Sequence, residues 1–206
     1  MPPVDWSPPP GTAALIFDCD GTLADTMPIH FKAWTAMLEP HALLFSEERF
    51  FAFAGMPSVR IIGVLADAQG RTFDTGVVET MVADKEALYL EMLDAVRPIA
   101  EVLAVAERHR GVLPMAVASG GEGWVVRRTL AAIGAEQWFD AIVGAEDTER
   151  HKPEPDVFLE AARRLGVEPD ACVVFEDSDL GLLAAERAGM HGVDIREWSG
   201  GSAVHA

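Results

Sequence analysis

The feature that most constrains the fold is a regular alternation of short apolar runs and amphipathic segments between residues 98 and 195. The runs match buried strands, and the segments between them repeat apolar residues with helical spacing. Gly134, Gly166 and Gly189 follow three of these segments, and glycine commonly ends a helix. Such repeated units predict an α/β fold with a parallel, doubly wound sheet. The predicted helices are 99–109, 122–133, 156–165 and 179–188, and the predicted strands are 113–118, 141–143, 171–175 and 192–195.

The segment before this alternation predicts an inserted helical domain. The apolar run at residues 13–17 is the predicted first strand, and the pattern from 27 to 95 is helical throughout, with no predicted strand. We therefore expect a Rossmann-like core formed by residues 11–26 and 96–200, with the helical domain 27–95 inserted after the first strand. The Pro-rich residues 1–10 are expected to form a loose arm.

Two aspartates follow the first predicted strand, in the run Asp18-Cys-Asp20-Gly-Thr. Side chains alternate along a strand, so Asp18 and Asp20 share a face at its carboxyl end. Two carboxylates at the tip of a buried strand repel each other unless a cation neutralises them. Oxygen donors of this kind suit Mg²⁺, which commonly accompanies a phosphate. The alternative is that both aspartates only shape a turn around Gly21.

Polar side chains also follow other predicted strands, and ligands bind beyond the carboxyl ends of strands in such sheets. Ser119 and Gly120 open a helix, so a hydroxyl and free N–H groups can bind an anion there, although Ser-Gly-Gly is also an ordinary turn. Glu176 and Asp177 form a second acidic pair, which taken alone can be a helix N-cap. Lys152 precedes a Pro-Glu-Pro run that stiffens its backbone, although an isolated lysine is more often solvated.

The formal net charge of −17 limits the classes of partner. Nucleic-acid binding needs clustered Lys and Arg, so no nucleic-acid partner is expected. No apolar stretch approaches the about 20 residues of a membrane span, and no secretion signal is recognisable. The lysines are only Lys32, Lys85 and Lys152, and a phosphorylated metabolite needs a local positive site. Cys19 and Cys172 match no disulfide or zinc pattern, which favours buried thiols in a cytoplasmic protein.

The four strand-end loops come in a characteristic order: an Asp pair, then Ser, then Lys-Pro, then Glu-Asp. This order, in matching elements from about residue 13 to residue 195, resembles the four motifs of the haloacid dehalogenase superfamily. The helical insertion is similar to the mobile cap of its β-phosphoglucomutase-like subgroup. Within that subgroup, three stretches are most similar to fructose-1-phosphate/6-phosphogluconate phosphatases, namely residues 25–34, 173–178 and 188–190.

The resemblance implies a Mg²⁺-dependent phosphatase that hydrolyses a small sugar phosphate or related phosphomonoester through an aspartyl-phosphate. Asp18 would attack phosphorus, while Asp20 would protonate the leaving alcohol and then deprotonate water. Ser119, Gly120 and Lys152 would bind the phosphoryl oxygens. The implied metal site consists of Asp18, the backbone carbonyl of Asp20, Asp177, and Glu176 acting through a bound water.

The resemblance also implies substrate-binding residues in the cap. Gly55 permits a tight turn in a segment similar to the cap loop that reaches the substrate in related enzymes. Arg60, at the end of the same segment, would bind a sugar hydroxyl or a second anionic group, or it is a solvated helix residue. His30 aligns with a cap histidine that helps to align the sugar, or it packs beside Trp34 one turn later.

A different sequence observation argues against each of three alternatives to the phosphatase. Family dehalogenases lack the second aspartate, so Asp20 argues against one. A β-phosphoglucomutase-type mutase would carry a further cap lysine and a lysine after the motif-two serine. No obvious cap lysine lies where one is wanted, and no lysine occurs in residues 119–123. A catalytically silent binding protein is opposed by the intact motif residues. We expect a monomer that acts on a small phosphorylated metabolite.

Overall fold

The computed structural model describes residues 6–198, so the last two residues of the predicted core, 199 and 200, lie outside the described part. Within residues 6–198 the chain forms seven strands and eight α-helices. The strands are β1 (Ala14–Phe17), β2 (Ala24–Asp25), β3 (Arg97–Pro98), β4 (Met115–Ala118), β5 (Ala141–Val143), β6 (Cys172–Glu176) and β7 (His191–Asp194). The helices are α1 (Met27–Leu38), α2 (Glu47–Ala52), α3 (Ser58–Ala68), α4 (Thr75–Glu91), α5 (Ala100–His109), α6 (Gly123–Ala132), α7 (Asp156–Leu165) and α8 (Asp179–Arg187).

Five strands form one parallel sheet in the order β5-β4-β1-β6-β7. β1 is central, and its Ile16 lies opposite Ala116 of β4 and Val174 of β6. The chain builds outward from β1 to β4 and β5, and then on the other side to β6 and β7. This confirms the predicted doubly wound parallel sheet, and the reversal of strand order next to β1 marks the edge at which such sheets bind ligands.

Helices pack against both faces of the sheet, which explains why β1 is apolar at every position. Leu15 and Phe17 join an apolar cluster with α5 and α6 on one face, whereas Ala14 and Ile16 join a cluster with α7 and α8 on the other. All four side chains of β1 are fully buried. The sheet therefore provides a rigid base for the loops that leave its carboxyl edge.

The ends of the predicted core strands and helices differ from the observed ones by no more than two residues. The largest difference is at β4, which begins at Met115 rather than at Leu113. Pro114 has no N–H to donate to a neighbouring strand, although its carbonyl accepts a hydrogen bond from Leu15 N–H at 3.1 Å. The described block 27–95 contains α1 to α4 and no strand, as its pattern predicts.

The inserted helices have an apolar cluster of their own, which includes Trp34, Phe50, Leu65 and Met81. The chain enters and leaves the block through β2 and β3, which pair antiparallel with Ala24 opposite Pro98. The sequence did not predict this two-residue ribbon, because so short a pair carries no alternating pattern. It ties together the two connections between core and insertion. None of the described helices is both long and apolar enough to cross a membrane.

The prediction of a loose N-terminal arm is wrong for its described part. Trp6 packs against the core cluster on the α5–α6 face, with its ring edge-on to Phe175 at a centroid distance of 4.9 Å. His109 and Trp198 contact the same indole. An indole ring carries enough apolar surface to hold a Pro-rich segment against the core. Residues 1–5 of the predicted arm lie outside the described residues.

Candidate active site

The carboxyl edge of the sheet brings the predicted motif residues together. Phe17 of β1 lies opposite Val117 of β4 and Phe175 of β6, so the next residues of all three strands meet at one edge. The backbone N–H of Asp18 donates to the carbonyl of Phe175 at 3.0 Å, which continues the pairing of β1 and β6. One cleft at this edge is lined by Asp18, Asp20, Ser119, Gly120, Glu176 and Asp177.

Lys152 is buried beneath these carboxylates, with only 1% of its side chain exposed. Its Nζ donates to Oδ1 of Asp18 and Oε1 of Glu176, each at 2.6 Å, and to the carbonyl of Ala118 at 3.3 Å. Burial alone would lower the pKa of Lys152, but the two carboxylates outweigh it and raise the pKa above the ordinary lysine value. Lys152 is therefore a charged group inside the site and not a solvated surface lysine.

Asp18, Glu176 and Asp177 crowd three carboxylates together, with one oxygen of each within 4.8 Å of the others. Burial raises the pKa of Asp18 well above its usual value, Lys152 opposes this, and the neighbouring carboxylates add to it. Burial and Glu176 likewise raise the pKa of Asp177 to about 7. Raised carboxyl pKa values mean that the local negative charge is under-compensated. Because a divalent cation relieves such crowding and prefers oxygen donors, these residues fit a metal ion.

Gly21 provides the space that Asp177 occupies. Its φ is +87°, in the left-handed region that favours glycine, and a Cβ at this position would overlap the carboxylate of Asp177. The next residue, Thr22, donates from Oγ1 to Oδ1 of Asp177 at 3.0 Å. The Gly-Thr pair after Asp20 thus positions an acid that lies more than 150 residues later in the chain.

Glu176 differs from its two acidic neighbours because the protein engages both of its oxygens. Oε1 accepts from Lys152, and Oε2 accepts from the N–H groups of Asp177 and Ser178, each at 2.8 Å, and from Oγ of Ser178 at 2.9 Å. A Cβ at Gly181 would collide with this side chain. Glu176 therefore orients Lys152 and its own loop, which fits a role through bound water better than direct metal ligation.

Asp20 is held apart from the crowded carboxylates. Its Oδ1 accepts from Oγ1 of Thr26 at 2.7 Å and lies 3.1 Å from Nε2 of His30. Burial acts to raise the pKa of Asp20, but His30, Thr26 and the charge of Lys85 outweigh it and hold the pKa at about 2. Burial and Lys85 lower the pKa of His30 despite the opposing charge of Asp20, so the ring is neutral at pH 7. Nε2 then carries the proton that it donates to Asp20.

Ser119 and Gly120 present donors to the cleft. The N–H of Ser119 is used within the sheet, donating to the carbonyl of Val143 at 3.0 Å, and its Oγ accepts from the N–H of Gly121 at 3.0 Å. Among residues 6–198, the N–H of Gly120 donates no hydrogen bond. The Ser119 hydroxyl and the Gly120 N–H therefore remain as candidate donors to an anion in the cleft.

The inserted block closes over this edge through the loop at Gly55. Gly55 has a φ of +85°, and a Cβ there would lie 3.2 Å from Cδ of Lys152. Its carbonyl approaches Gly120 so closely that a Cβ at residue 120 would collide with it. The cleft between block and core is lined by residues of both and is partly open to solvent. Small residues on both sides therefore let the two backbones meet.

Comparison with known proteins identifies the family. The model of the haloacid dehalogenase-like hydrolases matches residues 12–189. The chain is 41% identical over 185 residues to the fructose-1-phosphate phosphatase YqaB of Escherichia coli, covering 89% of this chain and 96% of that protein. It is 29% identical to a phosphorylated carbohydrates phosphatase of Thermotoga maritima, covering 86% and 82%. The chain belongs to the haloacid dehalogenase-like hydrolase family.

The fold agrees with this assignment. The crystal structure of a β-phosphoglucomutase from Clostridium difficile superimposes with a TM-score of 0.80 over 89% of this chain and 84% of that one. At 23% identity this likeness concerns the fold alone. It extends over both the core and the inserted helices, because residues 11–26 and 96–198 of the core together make up less of the chain than the matched share.

Two charged residues of this haloacid dehalogenase-like hydrolase were missed in the sequence. Lys85 and Glu86 on α4 line the cleft and are buried, at 4% and 5% exposure, and Nζ donates to Oε1 of Glu86 at 2.9 Å. A cap lysine, Lys85, therefore reaches the cleft, which the sequence did not predict. Met81, Lys85 and Tyr89 recur at helical spacing, so two charges on an otherwise buried face were the available signal.

The two predicted cap residues have different positions. His30 lines the cleft, and its ring stacks on Tyr89 at a centroid distance of 4.0 Å. Arg60 is exposed and is not among the residues that line the cleft. Burial and the charge of Arg60 lower the pKa of His151. The structure therefore brings His30 to the core motifs and leaves Arg60 outside. Binding of substrate by either residue stays a prediction.

Proposed function

We propose that this protein is a Mg²⁺-dependent phosphatase that hydrolyses a small sugar phosphate through an aspartyl-phosphate on Asp18. The observation that supports it most is that two aspartates in one cleft have different hydrogen-bond partners. Asp18 lies beside Lys152 in the crowded acidic group, whereas Asp20 is held two residues away by Thr26 and His30. A nucleophile and a separate proton carrier are what a two-step phosphoryl transfer needs.

In the first step Asp18 attacks phosphorus. Lys152 binds Oδ1 of Asp18, which leaves Oδ2 to form the bond. Ser119 Oγ, the Gly120 N–H and the ammonium of Lys152 stabilise the charge on the phosphoryl oxygens as the leaving oxygen departs. The anionic phosphate raises the pKa of Asp20 by repulsion, so that Asp20 carries a proton and transfers it to the leaving alcohol.

In the second step Asp20 takes a proton from the water that attacks the phosphorus of phospho-Asp18. The low pKa of about 2 is that of the cleft without substrate, in which His30 and Thr26 bind the ionised carboxylate. The contacts with Thr26 and His30 also hold the carboxyl of Asp20 in position between the two steps. Breaking the acyl phosphate bond returns Asp18 as a carboxylate and releases inorganic phosphate.

The metal ligands in this proposal are the carboxylates of Asp18 and Asp177 and the backbone carbonyl of Asp20, with Glu176 acting through water. When bound, Mg²⁺ would neutralise the acidic group and polarise a phosphoryl oxygen. Lys152 and Glu176 hold Asp18 in position independently of the ion, through two hydrogen bonds of 2.6 Å.

The proposed substrate class is supported by relatives named as a fructose-1-phosphate phosphatase and a phosphorylated carbohydrates phosphatase. We further propose that residues 27–95 act as a cap that opens and closes on the core about the β2–β3 ribbon. The enzyme is proposed to act as a monomer in the cytoplasm, with no nucleic-acid partner. Size-exclusion chromatography with light scattering tests the monomer.

The function is tested by release of inorganic phosphate from a panel of sugar phosphates, with Mg²⁺ and with excess EDTA. We expect turnover of at least one sugar phosphate that EDTA abolishes and added Mg²⁺ restores. The matched control is Asp25→Asn, which removes an exposed carboxyl close to the site in sequence. Turnover that survives EDTA, or no turnover of any phosphomonoester, would contradict the proposal.

A mutase of the β-phosphoglucomutase type is a second candidate, because Lys85 reaches the cleft from the inserted block. A mutase retains the sugar and returns the phosphoryl group to a different hydroxyl. Incubation with β-glucose 1-phosphate, a trace of the 1,6-bisphosphate and Mg²⁺ separates the two activities. Glucose 6-phosphate formed faster than free phosphate would favour the mutase, and the reverse order would favour the phosphatase.

A further inference from the structure

The part of the cleft that is lined by Ser58, Lys85 and Glu86 of the inserted helices is called the cap end here. It contains a buried carboxylate of which only one oxygen has a hydrogen-bond partner. Glu86 is 5% exposed and lines the cleft together with Ser58 and Lys85. Its Oε1 accepts from Nζ of Lys85 at 2.9 Å and lies at 3.5 Å from Oγ of Ser58. Among the described residues, Oε2 is buried without a hydrogen-bond partner. A buried acceptor with no donor is costly unless a ligand supplies one.

The charges around Glu86 restrict what that ligand can be. Lys85 is the only lysine or arginine among the described residues that line the cleft, and it already forms an ion pair with Glu86. The pair as a whole is neutral, so the cap end offers no free positive charge to a second anion. The phosphate-binding groups lie at the opposite, core end of the same cleft. A group that reaches the cap end is therefore the far end of the esterified molecule.

We propose that Glu86 determines specificity by accepting a hydrogen bond from a hydroxyl at the far end of the substrate. Oε2 needs a hydrogen-bond donor, which a carboxylate or a second ionised phosphate at the far end does not supply, so such substrates are disfavoured. The inference rests on the proposed phosphatase activity and names the class of substrate: uncharged polyhydroxy chains with one phosphate ester. This class includes fructose 1-phosphate and excludes 6-phosphogluconate, because 6-phosphogluconate carries a distal carboxylate and fructose 1-phosphate does not. Both compounds occur in the name of the phosphatases that the sequence resembles.

The test compares sorbitol 6-phosphate with 6-phosphogluconate, which share a six-carbon chain and differ at the far carbon, CH₂OH against carboxylate. Each kcat/KM is normalised to acetyl phosphate, which is too short to reach Glu86 and reports on the core chemistry. We expect wild type to prefer sorbitol 6-phosphate by about tenfold or more. Glu86→Gln removes the negative charge and frees Lys85, so this preference should fall by about tenfold or more.

The matched control is Glu79→Gln, an exposed position on the same helix, which should leave the preference within about twofold of wild type. If wild type hydrolyses sorbitol 6-phosphate and 6-phosphogluconate equally well, the inference is overturned. This measurement needs no variant, so the inference can be tested even if Glu86→Gln does not fold. An unchanged preference in folded Glu86→Gln also overturns it, while hydrolysis of either ester leaves the proposed function standing. No turnover of any phosphate ester, and none of acetyl phosphate, overturns the proposed function itself.

Discussion

The two ends of the cleft treat buried polar groups in opposite ways. At the core end, Lys152 donates to three acceptors, and the two oxygens of Glu176 accept from four donors. At the cap end, Oε2 of Glu86 and Nδ1 of His30 are buried with no partner among the described residues. Saturated groups hold one geometry, whereas unsatisfied acceptors gain most from a bound donor. The core end is thus built for fixed chemistry and the cap end for recognition.

The strongest test of this contrast removes the nucleophile from the saturated end. Asp18→Asn should abolish sugar-phosphate turnover, with less than about a thousandth of wild-type kcat remaining, because an amide is a poor nucleophile. The unfolding temperature without metal should not fall, since the raised pKa of Asp18 shows that its charge is unfavourable there. Phosphate release and thermal unfolding, each with and without Mg²⁺, measure both effects.

The same experiment separates chemistry from metal binding. Mg²⁺ should raise the unfolding temperature of wild type and raise that of Asp18→Asn by less, because one charged ligand is gone. Asp25→Asn should resemble wild type in both respects. Retention of even about a tenth of the activity in Asp18→Asn would end the covalent mechanism.

Asp20→Asn tests whether the second aspartate works separately from the acidic group. With p-nitrophenyl phosphate, whose leaving group needs no acid, phospho-Asp18 should still form, but its hydrolysis should lack a base. We expect a burst of about one p-nitrophenolate per enzyme followed by slow turnover, measured by rapid-mixing absorbance. If burst and steady state were impaired equally, Asp20 would not be the proton carrier.

Prediction from sequence succeeded where the signal is local. The apolar run of β1, the Asp18 loop and the glycine after α7 each follow from neighbouring residues, and the helices and strands agree with the structure at that level. The burial of Lys152 requires loops from several strands to converge and was not predicted; only its role in the site followed from the family resemblance. Trp6 was missed because a Pro-rich segment carries no periodicity, although a single indole is enough to pack it.

The cap side chains were harder to predict because the rotation of each helix about its axis depends on packing. Ser58 of α3 lines the cleft, and Arg60, about 200° further around the helix, faces away from Ser58. A loop resemblance that includes only the first residues of α3 cannot distinguish these two directions. On α4 the buried pair Lys85 and Glu86 did carry a signal, since charges rarely occupy a buried face without a partner.

A buried hydrogen bond between cap and core provides a smaller test of how firmly the two ends are joined. The hydroxyls of Tyr89 on α4 and Thr129 on α6 lie 2.7 Å apart, and Thr129 also donates to the carbonyl of Val125 at 3.2 Å. Tyr89→Phe keeps the ring that stacks on His30 and should lower the free energy of unfolding by about 0.5–1.5 kcal/mol. Urea unfolding measures this loss.

A double-mutant cycle with Thr129→Val isolates the bond itself. We expect the sum of the two single losses in unfolding free energy to exceed the loss in the double variant, because either change alone removes the same hydrogen bond. If the losses simply add, the two hydroxyls do not interact and the pair does not join cap to core.

The smallest effect is expected for Arg60→Ala, at the edge of the recognition end. If Arg60 bound the sugar as the resemblance implies, losing a charged hydrogen bond would lower kcat/KM about ten- to a hundredfold. Its exposed position outside the cleft lining predicts instead a change of less than about twofold, because solvent screens a surface charge. The deciding quantity is kcat/KM for the preferred sugar phosphate divided by that for acetyl phosphate, in wild type and variant. A selective tenfold fall in this ratio would show that Arg60 turns into the cleft when substrate binds, and recognition would then extend beyond Glu86 to α3. An unchanged ratio would confine recognition to the buried face of α4 and to His30.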